Sequence, residues 1–254
     1  MLELQNIRAG YAGREVLHGV SVRFETGQVT ALIGPNGCGK TTLLKVCARL
    51  LAPQAGRVLV DGADARRFSP KAFARMVSFL PQGRNVPSIA VRTLVAHARF
   101  PYQGFGRVPS PKDREAVHRA MEDTGVMPFA EKSLASLSGG ERQKVYLAMA
   151  AAQETPVMLL DEPTTFLDIA HQLEIMRLVK NLKARGRTVV MVLHDISQAL
   201  THADRVIVLQ GGAIAAQGLP EAIYESRAVD AAFGVTAERL WGEDGAAHYV
   251  FHER

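Results

Sequence analysis

Cysteine is almost missing from this chain. Its 254 residues hold two, Cys38 and Cys47, too few for a disulfide framework, and one falls in a glycine-rich loop where a crosslink would obstruct any ligand. A reducing cytoplasm is the expected setting. A secretion signal is also lacking, since MLELQNIRAG has neither the charged start nor the long apolar stretch of one. No uncharged apolar run approaches the length needed to span a bilayer. Nor is there a basic arm: Lys and Arg total 30 against 25 acidic residues, a formal charge of +5, but the positive residues are scattered. That argues against a nucleic-acid partner, and the excess suits an anionic ligand or a membrane surface. No internal repeat or low-complexity tract occurs. At 47% apolar and 22% charged, the composition is that of a globular protein that folds without covalent staples.

The apolar pattern is informative. Val20, Val22 and Phe24 alternate with Ser21 and Arg23, which predicts a half-buried strand closed by a turn at Glu25-Thr26-Gly27 and places an antiparallel layer early in the chain. Val29 to Ile33, Val157 to Leu160 and Thr188 to Leu193 are continuously apolar and rich in branched residues, as strands buried on both faces of a mostly parallel sheet must be. Leu43, Leu44, Cys47, Leu50 and Leu51 recur at helical spacing up to Ala52-Pro53, and Ile169, Leu173, Met176, Val179 and Leu182 mark a second amphipathic helix. Strand, helix and strand alternate, so the fold class is α/β. From about residue 84 to 150 the pattern turns helical: Val91 to Arg99, Pro111 to Thr124 and Gly139 to Gln153, interrupted by the loop PYQGFGRVPSPKD. A helical subdomain inserted in the α/β core is expected.

One stretch carries chemistry on its face. GPNGCGKTT (Gly34, Pro35, Asn36, Gly37, Cys38, Gly39, Lys40, Thr41, Thr42) fits G-x-x-x-x-G-K-[ST] and lies between an expected strand and an expected helix. Glycines let successive N–H groups curl around phosphate oxygens, and the helix start adds positive potential. Lys40 would bridge the β- and γ-phosphates of a nucleotide, and Thr41 would offer its hydroxyl to Mg²⁺. Such a loop needs a second strand bearing carboxylates, and Val157-Met158-Leu159-Leu160-Asp161-Glu162 supplies one, with Asp161 for the metal and Glu162 to polarise an attacking water. The loop cysteine predicts that bulky thiol reagents block nucleotide binding wherever Cys38 can be reached.

Leu137-Ser138-Gly139-Gly140-Glu141-Arg142-Gln143 resembles the signature motif of ATP-binding cassette (ABC) ATPases, and the resemblance extends over nearly the whole chain. Physically, Ser138 would cap a helix whose Gly139 and Gly140 N–H groups present its positive end to an anion. The resemblance implies a P-loop NTPase (RecA-like) core with an antiparallel β layer and an inserted α-helical subdomain, all one ABC ATPase domain: residues 1–83 and 155–254 as ATP-binding core, 84–154 as the helical part. It implies ATP and Mg²⁺ as cofactors and a head-to-tail homodimer sandwiching two ATP molecules, each signature motif facing the γ-phosphate held by the other copy. It further implies roles for single residues. Tyr11 resembles the aromatic that stacks on adenine, with a spare core tyrosine as the alternative. Gln82, in SFLPQ, resembles the glutamine that senses Mg²⁺ and γ-phosphate and links core to helices. His194 resembles the switch histidine at the γ-phosphate, and Asp168 the aspartate that crosses the dimer interface, a role compatible with capping a helix. Thr41 where serine is commoner, Cys38 at a variable position and Lys144 for a frequent arginine are departures that remove no required group.

The segment from Thr93 to Tyr102, with FLDIAHQLEIM and AFGVTAERL, is similar to ATPases of bacterial importers for iron–siderophore complexes, haem and cobalamin. That likeness implies permease subunits as partners, a periplasmic binding protein indirectly, and residence on the cytoplasmic face of the inner membrane. The same segment also reads as an exposed amphipathic helix with a basic loop, and transporters of amino acids, metals or exported lipids share every catalytic motif. A soluble ABC protein of DNA repair or translation would usually carry two cassettes or a long coiled coil, and a small-molecule P-loop kinase would lack the signature. His248 and His252 have no Cys or Asp beside them, so a solvated tail rather than a metal site is expected.

Overall fold

The computed structural model describes residues 1–83, 86–104, 108–243 and 245–254. Part of the Gly/Arg loop singled out above, residues 105–107, lies outside them. The strands are β1 (Leu2–Tyr11), β2 (Arg14–Phe24), β3 (Val29–Ile33), β4 (Ala55–Val60), β5 (Ala63–Asp64), β6 (Val77–Leu80), β7 (Val157–Asp161), β8 (Thr188–Val192), β9 (Arg205–Gln210), β10 (Ala213–Gly218), β11 (Val235–Trp241) and β12 (Ala247–Glu253). The helices are α1 (Lys40–Cys47), α2 (Pro70–Phe73), α3 (Val91–His97), α4 (Pro111–Asp123), α5 (Gly139–Ala152), α6 (Ile169–Ala184), α7 (Ile196–His202), α8 (Pro220–Glu225) and α9 (Ala228–Phe233).

A six-stranded sheet, ordered β10-β9-β3-β8-β7-β6, forms the centre. All its pairs are parallel except the hairpin β9–β10 at one edge. β3, β7 and β8 are buried at every position, which is why they read as unbroken apolar runs and not as alternations. One face packs with α1 against an antiparallel sheet, β2-β1-β4-β5, through Leu32, Leu43, Leu159 and Val190 on one side and Leu4, Val22 and Phe24 on the other. The opposite face takes α6 and α7 and continues without a break into the core formed by α3, α4 and α5, where Val95, Met121 and Leu147 pack. Among the described residues between β6 and β7, every α or β element is a helix. Among the described residues no helix is long and apolar enough to cross a membrane.

Three expectations need correction. α1 stops at Cys47, short of Ala52-Pro53. Arg49 takes a left-handed conformation (φ 58°), its N–H bonds to Val46 O, and the N–H of Leu50 reaches back to Lys45 O. This is a Schellman closure built on arginine where glycine is usual, and it turns Leu50 outward, 65% exposed. On α6 the apolar stripe is buried only from its middle: Met176 and Val179 are inside, while Ile169 and Leu173 are 77% and 52% exposed, because the sheet covers only the later turns. Residues near the C-terminus form paired strand and not a free tail, although His248 and His252 are themselves exposed as expected. β11 and β12 pair from Val235↔Glu253 to Trp241↔Ala247, Tyr249 is buried, and β12 packs on α7. His252 Nε2 lies 3.2 Å from Glu238 Oε2 across that hairpin, and His248 stands opposite Leu240.

Candidate nucleotide site

In an open parallel sheet, ligands collect in the crevice beyond the carboxyl ends of the strands. Here β3 runs into Gly34, β6 into Gln82, β7 into Asp161 and Glu162, and β8 into His194. The four parallel strands therefore deliver the main candidate residues to one edge.

The loop from Gly34 to Gly39 is shaped by steric need. A Cβ on Gly34 would stand 2.1 Å from the carbonyl oxygen of Leu209, and Gly39, at φ 109°, begins α1. Only glycine fits the first, and the second favours it strongly. The first turn of α1 has neither a capping side chain nor an acidic residue, so its N–H groups are left to face an anion. Lys40, 6% exposed, is held over this turn by the carbonyls of Gly34 and Pro35, to which its Nζ donates at 2.6 and 3.0 Å. A cavity of about 180 Å³ opens here, lined by Asn36, Gly37, Lys40 and Thr42 on the loop side and by Glu162 and His194 opposite.

Thr41 Oγ1 donates to Asp161 Oδ1 at 3.0 Å. Asp161 is 2% exposed. Burial pushes its carboxyl above the usual range, the Thr41 bond opposes that, and the neighbouring charge of Glu162 adds to it. A hydroxyl, a carboxylate and the amide of Gln82 are oxygen donors, the set a hard cation such as Mg²⁺ takes, so the residues present fit the metal.

Glu162 is the most heavily engaged acid of the cleft. Its backbone is left-handed, φ 53°, and its side chain is 8% exposed. One oxygen pairs with His194 Nε2; the other accepts from Gln82 Nε2 and, at 3.1 Å, from Thr165 Oγ1. Thr165 and Val16, which also lines the cavity, are absent from the motif-based set. Nothing in their own identity marks them, though Thr165 stands three residues past the carboxylate pair, within reach of a turn.

Tyr11 ends β1, is 45% exposed, and lies with its ring centre 5.8 Å from Lys45 Nζ of α1, the helix that follows the phosphate loop, but not in the cavity. Cys38 is buried, and that burial raises its thiol pKa; its Sγ is 4.0 Å from Lys40 Nζ. The condition for rapid thiol attack is not met.

Ser138, Gly139, Gly140 and Asp168 do not line this cavity. Ser138 caps α5 in a reciprocal box with Glu141, the serine hydroxyl accepting from Glu141 N and the glutamate accepting from Ser138 N. Asp168 caps α6, accepting from His171 N at 2.9 Å, with His171 Nδ1 2.8 Å from the same oxygen. A Cβ on Gly140 would fall 2.3 Å from the His171 ring, so the two caps are pressed together. Gln143 Nε2 adds a bond to Pro163 O at 2.6 Å. The signature turn is thus fastened to the loop that leaves β7, on a surface of the single chain separate from its own phosphate loop.

Sheet order, phosphate loop and carboxylate strand define a P-loop nucleotide-binding ATPase cassette. The ABC transporter family model matches residues 17–165, and the chain belongs to that family. It is 42% identical over 233 residues to the achromobactin transport ATP-binding protein of Dickeya dadantii, spanning 91% of this chain and 87% of that protein. The ferric enterobactin transport ATP-binding protein of Escherichia coli is 41% identical over 91% of this chain and 86% of its own length. Among solved structures, the dimeric post-hydrolysis state of the ATP-binding cassette MJ0796 bound to ADP and Pi superposes with a TM-score of 0.75 at 27% identity, over 87% of this chain and 99% of that one.

Proposed function

We propose that the chain is the ATP-hydrolysing subunit of an importer for a metal chelate, iron–siderophore first, with haem and cobalamin in the same class. The observation that carries the hydrolytic part is the cluster at the strand ends: Lys40 and Thr41 on one wall, with Asp161 buried behind Thr41, and Glu162 and His194 on the other. The chelate class is supported by the two relatives, whose names specify achromobactin and ferric enterobactin transport.

In this reading the loop from Gly34 to Thr42 and Lys40 hold the β- and γ-phosphates, and Tyr11 stacks on the base. Thr41, Asp161 and Gln82 hold Mg²⁺, which when bound neutralises phosphate charge. Glu162 takes a proton from the attacking water as its oxygen bonds to the γ-phosphorus. The bond from that phosphorus to the bridging oxygen breaks, and ADP leaves with the electron pair. His194 holds Glu162 in place and positions the water.

Ser138, Gly139, Gly140 and Asp168 face a second copy of the chain, completing its site across a head-to-tail dimer. The helices of 84–154 form the part that meets the permease, through which the chain sits peripherally on the cytoplasmic face of the inner membrane, with a periplasmic binding protein on the far side. ATP closes the pair and hydrolysis releases it. Uptake of radiolabelled ferric siderophore, haem and cobalamin by cells lacking the gene, complemented with wild type or Glu162→Gln, tests this. Loss of one chelate's uptake, restored by wild type alone, is expected; unchanged uptake of all three refutes the transporter class.

A further inference from the structure

Behind the cleft, two glutamines join the elements that carry its two working sides. Gln172, on the first turn of α6, donates from Nε2 to Leu167 O at 3.0 Å and more weakly to Thr164 O at 3.5 Å, both in the loop after Glu162. Gln198, on the first turn of α7, donates from Nε2 to Gln172 Oε1 at 2.6 Å. Its own N–H is held by Asp195, the residue after His194, at 3.1 Å.

The two amides can adopt only one orientation. The carbonyls of Leu167 and Thr164 accept and cannot donate, so the NH₂ of Gln172 must face them. That leaves Gln172 Oε1 as an acceptor, which in turn requires the NH₂ of Gln198. Gln198 Oε1 is then left buried with no partner among the described residues, a cost the pair accepts in order to make the bridge.

The bridge closes a ring. From Glu162 one path runs through Thr165 and the loop to Leu167, then to Gln172 and Gln198; the other runs through His194 to Asp195 and back to Gln198. His194 is otherwise half-exposed, at 44% of its side-chain area, on a loop that could swing. We propose that the Gln172–Gln198 amide pair is a positioning device for the reaction: it holds the start of α7, and with it His194, at a set distance from the loop that carries Asp168, so that Glu162 is correctly presented. The inference rests on the reading of Glu162 and His194 as the groups that act on water. Neither glutamine lines the cavity; each acts on it through the residues it holds.

The test uses the full chain and four variants. Gln198→Leu removes the donor, Gln172→Leu removes the relay, the double variant removes both, and Gln198→Glu sets a carboxylate oxygen against Gln172 Oε1. Turnover, ATP affinity and melting temperature are measured for each, with Glu162→Gln beside them. The expected result is a fall in kcat of about tenfold in either Leu variant, the double variant falling no further than a single one. Gln198→Glu should fall at least as far as Gln198→Leu, while ATP affinity stays within about twofold of wild type in all four.

Turnover within twofold of wild type in both Leu variants overturns the proposal. So does a joint loss of ATP affinity, turnover and melting temperature, which marks a merely structural pair, and so does an additive double variant. Glu162→Gln separates the two ideas: if that variant alone turns over normally, the base assignment fails whatever the glutamine variants do. If it is dead and the glutamine variants are normal, only the bridge is refuted.

Discussion

Thr41 Oγ1 and Asp161 Oδ1, 120 residues apart in sequence, meet at 3.0 Å, tying the first turn of α1 to the carboxyl end of β7. The contact sets two of the three proposed metal ligands side by side and leaves a buried carboxylate whose proton affinity is raised by its surroundings. Asp161→Asn should therefore retain the fold, since it removes a buried charge and keeps a hydrogen-bonding group. It should lower Mg²⁺-dependent ATP turnover by about a hundredfold, the loss of roughly 3 kcal/mol of charge stabilisation. Thermal melting and phosphate release check the two halves.

Lys40 and Glu162 face the same cavity, and substitution separates the tasks proposed for them. Lys40→Ala should lose tight nucleotide binding, seen as a weakened signal from a fluorescent ATP analogue. Glu162→Gln should keep that binding, slow turnover by at least about a hundredfold and accumulate an ATP-bound dimer on size exclusion. Normal binding and turnover by the Lys40 variant would mean that the phosphate cradle lies elsewhere.

Arg99 is 2% exposed and lies at the centre of the helical region, with Nε on Asp113 Oδ1 at 2.9 Å, and Nη1 on Ala152 O at 2.8 Å and Glu154 Oε2 at 3.0 Å. Burial works to raise the Asp113 carboxyl, but bonds from Ser110 and Arg99 outweigh it and hold the group below its ordinary value. A carboxyl depressed on folding stabilises above its unfolded pKa, about 3.9, and that stability drains away as pH falls through the lower folded value. Asp113→Ala should cost about 3 kcal/mol at pH 7, by leaving a buried guanidinium short of a partner. The difference from wild type should shrink below about pH 4, and urea unfolding at pH 7 and pH 3 measures both.

Cys38 and Cys47 are both buried, and burial raises both thiols. A chromogenic thiol reagent at neutral pH should titrate neither within minutes in the native protein and both after denaturation. Fast reaction of one thiol, prevented by ATP, would place Cys38 at the open surface of the loop.

Much of this molecule is written locally. Val29 to Ile33, Val157 to Leu160 and Thr188 to Leu193 read as buried parallel strands because each residue faces apolar cover on one side or the other, a property that composition alone records. Gly34 to Thr42 is legible because close backbone approach leaves so few residues possible. The misjudged places share a cause. α1 closes on Arg49, which lacks the glycine that normally signals a Schellman turn, and Ile169 and Leu173 carry a buried helix's pattern on turns that this chain alone leaves uncovered. The hairpin of β11 and β12 acquires its inside only by packing on α7, on Tyr224 of α8 and on α9.

The class of fold and the inventory of reactive groups are legible in short stretches of chain, because phosphate cradles and buried strands demand particular residues at short spacing. Which of those groups meet was decided by tertiary structure alone. Thr41 reaches Asp161, His194 reaches Glu162, and Gln198 reaches Gln172 only because β3, β8 and β7 lie side by side and end at one edge. Sheet order is a property of the whole chain, since pairing distant strands closes long loops whose entropy only the complete core offsets.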